Sequence, residues 1–589
     1  MDSNTDLTTF TILLEGTKID ESYEVMSIKT EKTVNKISTA YITLLDGSAA
    51  ESDFAVSNKA DFLPGAEIEI KAGYHSVEET IYKGIIVKHG ISASDSASEL
   101  QLECRDKAVK LTVGRKNLYF LDKKDSDIIS AIISGAGLTA DVDATTYQHA
   151  SMIQYDSTDW DFLMTRADSN GLIVLVDDGK VSVKVPDTSP EVVLSVGYGG
   201  SILEFSAEID AVSQIKSAKG YAWDSATQKV VNGTGKSAVK NTGNLTADKL
   251  SDVVGLKEYA VQSSGIMDAN DLKSWAVAMD TRSKLATTQG SVKFQGNSKV
   301  KPGVMLGLEG VGERFNGNVF VSSVTHTVED GQWNTEADFG LSPAWHHEEN
   351  TDVSQPKAGG LLPGVSGLQI GTVKQIQEDP KGGFRVLTKI PILQQDKDAV
   401  WARLTTFYAS NGCGSFFFPE VNDEVILGFL NDDPRYPVIL GSVYSKKNKS
   451  PETPEEKNDK KAIITKSKME LSFAEEDKII LIKTPGGNQI TISDKDKGVI
   501  IEDQNSNKLS LDDSGITLDS ASNMSIKAKG NIELDAGGNL TLNAKANVTV
   551  GGAQIENTAK TSFTAKGNAT AEVSASGQVT VKGGIVMIN

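Results

Sequence analysis

Apolar and polar positions follow three different rhythms along this chain. Up to about residue 350, alternation with period two runs through Glu67-Ile68-Glu69-Ile70, through 81–87 and through 100–104, which predicts strands with one buried face. Helical spacing interrupts it. Ile128, Ile129, Ile132 and Ile133 share one face of a helix predicted over 125–136, which Gly135 and Gly137 stop. A second helix is predicted over 160–167, capped by Ser157 or Asp159 and ended near Gly171, and a third over 269–284 behind Asp268. Strands dominate, so residues 1–350 read as an α+β region within a mainly β protein.

The rhythm then changes. Residues 351–367 are rich in breakers, with Gly359-Gly360 and Pro363-Gly364, and read as a linker. Residues 368–445 hold short strands separated by Asp379-Pro380 and Asp432-Asp433-Pro434, a length and pattern that suit a five-stranded barrel of the OB type. A second linker, 446–464, carries Pro451, Pro454 and dense mixed charge.

From 465 to 589 a short repeat takes over. Apolar pairs spaced two apart recur at Ile516/Leu518, Met524/Ile526, Ile532/Leu534, Leu540/Leu542 and Val548/Val550, each pair eight residues after the last. The pattern resumes at Ile555, Phe563, Ala571/Val573, Val579/Val581 and Met587. Looser versions lie upstream at Ile480/Ile482, Ile490/Ile492, Val499/Ile501 and Leu509/Leu511. Positions i and i+2 of a strand share a face, so each unit is one short strand with two inward side chains and a corner of Gly, Asn, Asp, Ser or Lys. An octad offers too little chain per coil for a lone polypeptide to enclose those pairs. Three chains winding into a triple-stranded intertwined β-helix are expected instead of a monomeric solenoid. The ten residues from Ile516 to Val550 named above are its predicted core. At about 4.8 Å per octad, the rod would be stiff and roughly 65 Å long.

A net charge of -20 argues against nucleic acid or an anionic membrane as the main partner. The first fourteen residues lack the cationic start and uninterrupted apolar core of a signal peptide, and no apolar run is long enough to span a membrane. Synthesis in the cytoplasm without a signal peptide is therefore expected. Two cysteines, Cys104 and Cys413, make no disulfide framework.

Candidate chemistry is sparse. Gly412-Cys413-Gly414-Ser415 lacks the context of a cysteine-protease nucleophile and reads as turn glycines around a buried thiol. His346-His347-Glu348-Glu349 could be imagined as a metal site, but neighbours on an extended chain point opposite ways, so a surface linker is expected. Glu455-Glu456 reads as solvated charge, and with only a short linker between barrel and rod, no hydrolase domain is expected before or after the rod. No catalytic, cofactor or metal site is predicted. His and Cys are absent after Cys413, so the rod offers no transition-metal ligands of those types.

Three segments together resemble a known family. The first is Tyr155-Asp156-Ser157-Thr158-Asp159-Trp160-Asp161-Phe162-Leu163 with Arg166, Ala167 and Gly171-Leu172. The second is Trp401-Ala402-Arg403-Leu404, Phe417-Phe418-Pro419-Glu420-Val421 and Asp423-Glu424-Val425, closing with Phe429, Asp432-Asp433-Pro434, Pro437, Gly441 and Tyr444. The third is the octad tail. In this order they resemble the VgrG family of spikes found in type VI secretion, extracellular contractile injection particles and contractile phage tails. Many members carry Arg where this chain has Glu420, and the region before Tyr155 is divergent.

The resemblance implies a homotrimer whose hub of two barrel-like domains per chain faces a hexameric inner tube. It implies an OB collar docked among baseplate components, and a spike driven through a target envelope by sheath contraction, carrying effectors and meeting membrane only transiently. The apolar end, Gly583, Gly584, Ile585, Val586, Met587, Ile588 and Asn589, is expected to form a platform for a PAAR-type tip protein. Two rival readings are a lytic spike with peptidoglycan-hydrolase activity and a trimeric fibre or adhesin. The motifs around Trp160 and Trp401 are not expected in a fibre.

Overall fold

The computed structural model describes residues 7–95, 97–395 and 398–588, and the chain divides into two compact units meeting at Val443/Tyr444. In the first unit a 13-stranded sheet runs continuously through two lobes. The join is the antiparallel pairing of Gly317–Glu329 with Val25–Thr33, from Thr33↔Ser323 to Ser27↔Glu329. On one side, Thr39–Leu45, Ser98–Arg105, Val77–Ala93, Glu67–Tyr74 and Thr8–Leu14 follow in order. They enclose a core that includes Ile12, Ile42, Ile70, Tyr82 and Leu102. On the other side, Gln332–Phe339, Thr288–Gln295 and Ile202–Ile209 enclose Val292, Phe294, Leu306, Val321 and Phe339. The alternation read at 67–70, 81–87 and 100–104 thus lies in long strands of the first lobe.

Between the lobes the chain inserts a smaller αβ body. Helix α1, Asp125–Gly135, buries Ile128, Ile129, Ile132 and Ile133, the four residues its spacing grouped. Helix α2, Asp159–Ser169, buries Trp160, Phe162 and Leu163. Its cap is neither Ser157 nor Asp159. Thr158 is the last residue with extended φ and ψ, and its Oγ1 accepts from the Asp161 N–H at 3.0 Å. Ser157 ends a strand, and Asp159 is already helical, with its carboxylate accepting from Lys116 and Gln154.

Helix α3, Ala247–Val254, is an addition to the predicted set, capped by Thr246 and closed by Gly255 at φ 73°. Helix α4, Ala269–Leu285, is capped by Asp268, which accepts from the Asn270 N–H at 2.7 Å. It packs on a sheet of Ala218–Asp224, Lys229–Gly235 and Tyr259–Ser263. Glycine makes that approach feasible: a Cβ at Gly233 would lie 2.5 Å from both Ala269 O and Lys273 N.

Residues 369–442 form a closed five-stranded barrel in the order Gln369–Gln375, Val386–Lys389, Val400–Leu404, Pro437–Ser442, Glu424–Phe429. Parallel pairing of Arg403 with Val438 closes it, and Val373, Val386, Ala402, Val425, Leu427 and Ile439 form its buried core. The segment before it is held in place. Arg115 donates to the carbonyls of Asp352 and Ser354, and Val365 N–H donates to Asp432 O at 2.7 Å.

The second unit opens with a seven-stranded antiparallel sheet in chain order, Lys460–Ile464 to Gly515–Asp519. Its first strand occupies residues assigned from sequence to the linker 446–464. No helix among the described residues is long and apolar enough to cross a membrane.

Candidate assembly surface

Register decides what the second unit presents. Because directly opposed residues of an antiparallel pair share a face, the apolar pairs line up across the sheet. Ile463 opposes Leu471, then Ile482, Ile490, Ile501, Leu509 and Leu518 follow as successive neighbours. Beside that ladder runs a second one: Phe473, Ile480, Ile492, Val499, Leu511 and Ile516. The opposite face centres on Ser472, Leu481, Thr491, Ile500, Ser510 and Thr517, a more polar series.

Among the described residues, nothing covers the apolar face. Ile482 is 48% exposed, Ile501 42% and Leu518 61%. Covering a half-exposed aliphatic side chain is worth about 1–2 kcal/mol, so two such ladders carry a large association energy.

Of the predicted core residues, Ile516 and Leu518 close these ladders against Leu511 and Leu509. Met524, Ile526, Ile532, Leu534, Leu540, Leu542, Val548 and Val550 lie beyond the last described strand and are exposed. One chain supplies no neighbour for an isolated octad, so their backbones have no ladder to join. Gly583 and Gly584 precede the exposed Ile585, Val586, Met587 and Ile588, and Asn589 lies outside the described residues. Sequence reading passed over Ile463, Leu471 and Phe473. Their alternation was the available signal, but charge density around 446–461 masked it.

In the first unit, the Tyr155–Leu163 motif builds a polar lock. Asp161 accepts from Thr158 Oγ1 at 2.6 Å and meets His346 Nε2 at 2.9 Å. His346 belongs to a one-turn helix α5, His346–Glu349, and its N–H donates to Asp168 Oδ2 at 2.7 Å. The expected surface linker is therefore a docked turn with a buried His346. A helical turn, unlike an extended chain, directs that imidazole inward while His347 stays exposed.

Asp168 also receives Arg282, whose guanidinium stacks 4.8 Å from the Trp345 ring. Asp125 takes Arg166, Asn170 and His149. Burial opposes its charge, but Arg166 and the other donors hold its carboxyl below the usual range. These groups are paired with one another, and no set of three or more metal-type ligands occurs among the described residues.

The barrel carries a small hairpin, Ala409–Ser410 with Cys413–Gly414. Cys413 is exposed, not buried as read from its glycine neighbours, because the hairpin projects from the barrel core. Phe407 and Phe416 beside it are more than four-fifths exposed. Cys104 is the buried cysteine, its thiol pushed up to about 12 by burial.

Residues 4–330 match the family described as Alg8 N-terminal domain. Residues 369–444 match the type VI secretion system/phage-baseplate injector OB domain, and 478–538 the phage baseplate V C-terminal trimerisation domain. The chain is 39% identical over 56 residues to the type VI secretion system spike protein VgrG3 of Vibrio cholerae, a stretch covering 10% of this chain and 6% of that protein. It is 41% identical over 49 residues to VgrG4b of Pseudomonas aeruginosa, again 6% of that protein and 8% of this one. These matches therefore span a small fraction of either relative. Among solved structures, the 43 kDa tail protein of prophage MuSo2 from Shewanella oneidensis aligns at TM-score 0.42 and 12% identity, covering 57% of this chain and 98% of that one.

Proposed function

The chain belongs to the Alg8 N-terminal domain family and is a VgrG-type spike protein, and from that premise we propose that three copies close their apolar sheet faces on one another to form the central spike of a contractile injection system. The observation that carries this reading is the pair of apolar ladders, one crossing all seven strands of the sheet and the other six, with no covering element among the described residues.

Three such faces turned inward make a triangular prism. The octads from Met524 to Val550 extend the same two-residue pattern into the intertwined rod, where each short strand finds its neighbours in the other copies. The hub, residues 1–350, caps a hexameric inner tube, and the barrel at 368–445 sits in the baseplate. Residues 583–589 seat a PAAR-type tip protein. The protein is made in the cytoplasm and leaves it as part of the apparatus. Sheath contraction drives it through a target envelope with its effectors, so its work is mechanical and not enzymatic.

Two measurements test this. Light scattering on the full chain is expected to give three times the chain mass; a well-folded monomer overturns the reading. Deleting Ile585 to Asn589 is expected to abolish co-purification with a PAAR-type tip protein, and undiminished binding removes the tip assignment.

A further inference from the structure

Tyr259–Ser263 is an edge strand. It pairs in parallel with Ala218–Asp224, from Ala218↔Tyr259 to Ala222↔Ser263, and among the described residues no strand pairs with its other side. Tyr259 N–H donates to Ser217 O at 2.8 Å. In a parallel ladder alternate residues direct both backbone groups to the same neighbour, so Tyr259, Val261 and Ser263 bond inward. The N–H and C=O of Ala260 and Gln262 therefore face out.

That outward edge lines a cavity of about 620 Å³, to which every residue of the strand contributes. Natural edges are usually defended by charge, proline or a bulge. Tyr-Ala-Val-Gln-Ser has neither charge nor proline, and its pairing shows no register shift.

The walls around the edge are aromatic and acidic. Trp275 follows Asp271 by one turn of α4, so both present the same face, and both line the cavity with Trp345 and Glu348. Four carboxylates (Asp125, Asp168, Asp271 and Glu348) meet two guanidiniums, Arg166 and Arg282, in or against this space. Both guanidiniums are already committed, to Asp125 and to Asp168. The Asp271 carboxylate has no hydrogen-bond partner among the described residues, and burial pushes it up against the opposing pull of Arg166. A carboxylate so placed favours an incoming cation.

We propose that this groove binds an extended peptide, which adds as a strand to the Ala260–Gln262 edge and sets a lysine or arginine beside Asp271 and Trp275. Backbone pairing supplies affinity that is independent of side chains, and the acidic, aromatic wall selects the cationic position. The site lies wholly in the first unit and is independent of how the rod assembles.

The test uses the full assembled protein and a capped peptide, Thr-Val-Thr-Lys-Val-Thr, with hydrogen exchange as the readout. Saturating peptide is expected to slow exchange at least tenfold in the segment holding Ala260 and Gln262. A peptide with glutamate for lysine, or with N-methylated backbone on the pairing side, is expected to bind at least tenfold more weakly. Ala260→Pro removes one outward N–H and is expected to abolish the protection, while Asp271→Asn is expected to erase the preference for lysine. Should Ala260→Pro misfold, the N-methylated peptide answers the same question on the unaltered chain. The proposal is overturned by unchanged exchange at millimolar peptide or by equal binding of the glutamate peptide. It is also overturned if, without peptide, the edge segment is already as protected as Ala218–Asp224, since another copy would then own the edge.

Discussion

Arg166 holds Asp125 with two parallel hydrogen bonds, Nε to Oδ1 at 2.7 Å and Nη2 to Oδ2 at 2.8 Å. The pair clamps α2 to the first turn of α1, and Asn170 and His149 complete the carboxylate's partners. Its fork geometry is one that lysine cannot reproduce.

Removing one side of this pair strands the other in a buried place. Arg166→Ala is expected to cost about 3–5 kcal/mol, read as a lowered urea midpoint. Replacing both residues with apolar ones of similar size is expected to cost less than the single change. Because the folded carboxyl lies below its ordinary value, its stabilisation is present above about pH 4 and is lost as pH falls through the folded value.

His326 behaves in the opposite sense to a paired histidine. It is buried, with Nδ1 2.9 Å from Thr335 Oγ1, and burial, reinforced by Lys32 and Lys301, pushes it down to about 3. Unfolded chains bind its proton near pH 6.5 while the native state does not, so stability is full above that pH and declines toward pH 3. His326→Gln is expected to flatten this decline by up to about 1.4 kcal/mol per pH unit, seen in unfolding curves from pH 7 to 4.

Two glycines predict opposite outcomes. A Cβ at Gly233 meets the α4 backbone at 2.5 Å, whereas at Gly135 it meets nothing within 4 Å. Gly233→Ala is expected to destabilise by about 1–3 kcal/mol, because α4 must move. Gly135→Ala at the end of α1 is expected to be neutral or stabilising by about 0.5–1 kcal/mol. Thermal unfolding of the two variants separates them.

Ile490 and Ile501 face each other in the centre of the apolar ladder. Changing both to aspartate buries charge in the proposed seam, costing on the order of several kcal/mol per copy. Loss of the trimer mass in light scattering is expected. Thr491→Asp, on the other face, is expected to leave the mass unchanged.

Much of the first unit was legible because its signals are local. The four isoleucines of α1 share a face through helical geometry alone, and Asp268 announces α4. Helix α3 had its own signals, Thr246 before and Gly255 after, but eight residues give too short a period to stand out. The lock between Asp161 and His346 was not legible. The two lie 185 residues apart, and a four-residue turn leaves no periodicity.

By itself the sequence determined which side chains share a strand or helix face, since that depends only on backbone geometry within a few residues. It thus placed Ile480 with Ile482 and Ile490 with Ile492. Only the tertiary structure decided that Ile482 opposes Ile490 and that these pairs join into ladders. It also decided that Tyr259–Ser263 ends a sheet with one edge open. Register follows from the turns that join neighbouring strands, and an open edge from what does not pair with it; the period-two pattern within one strand encodes neither.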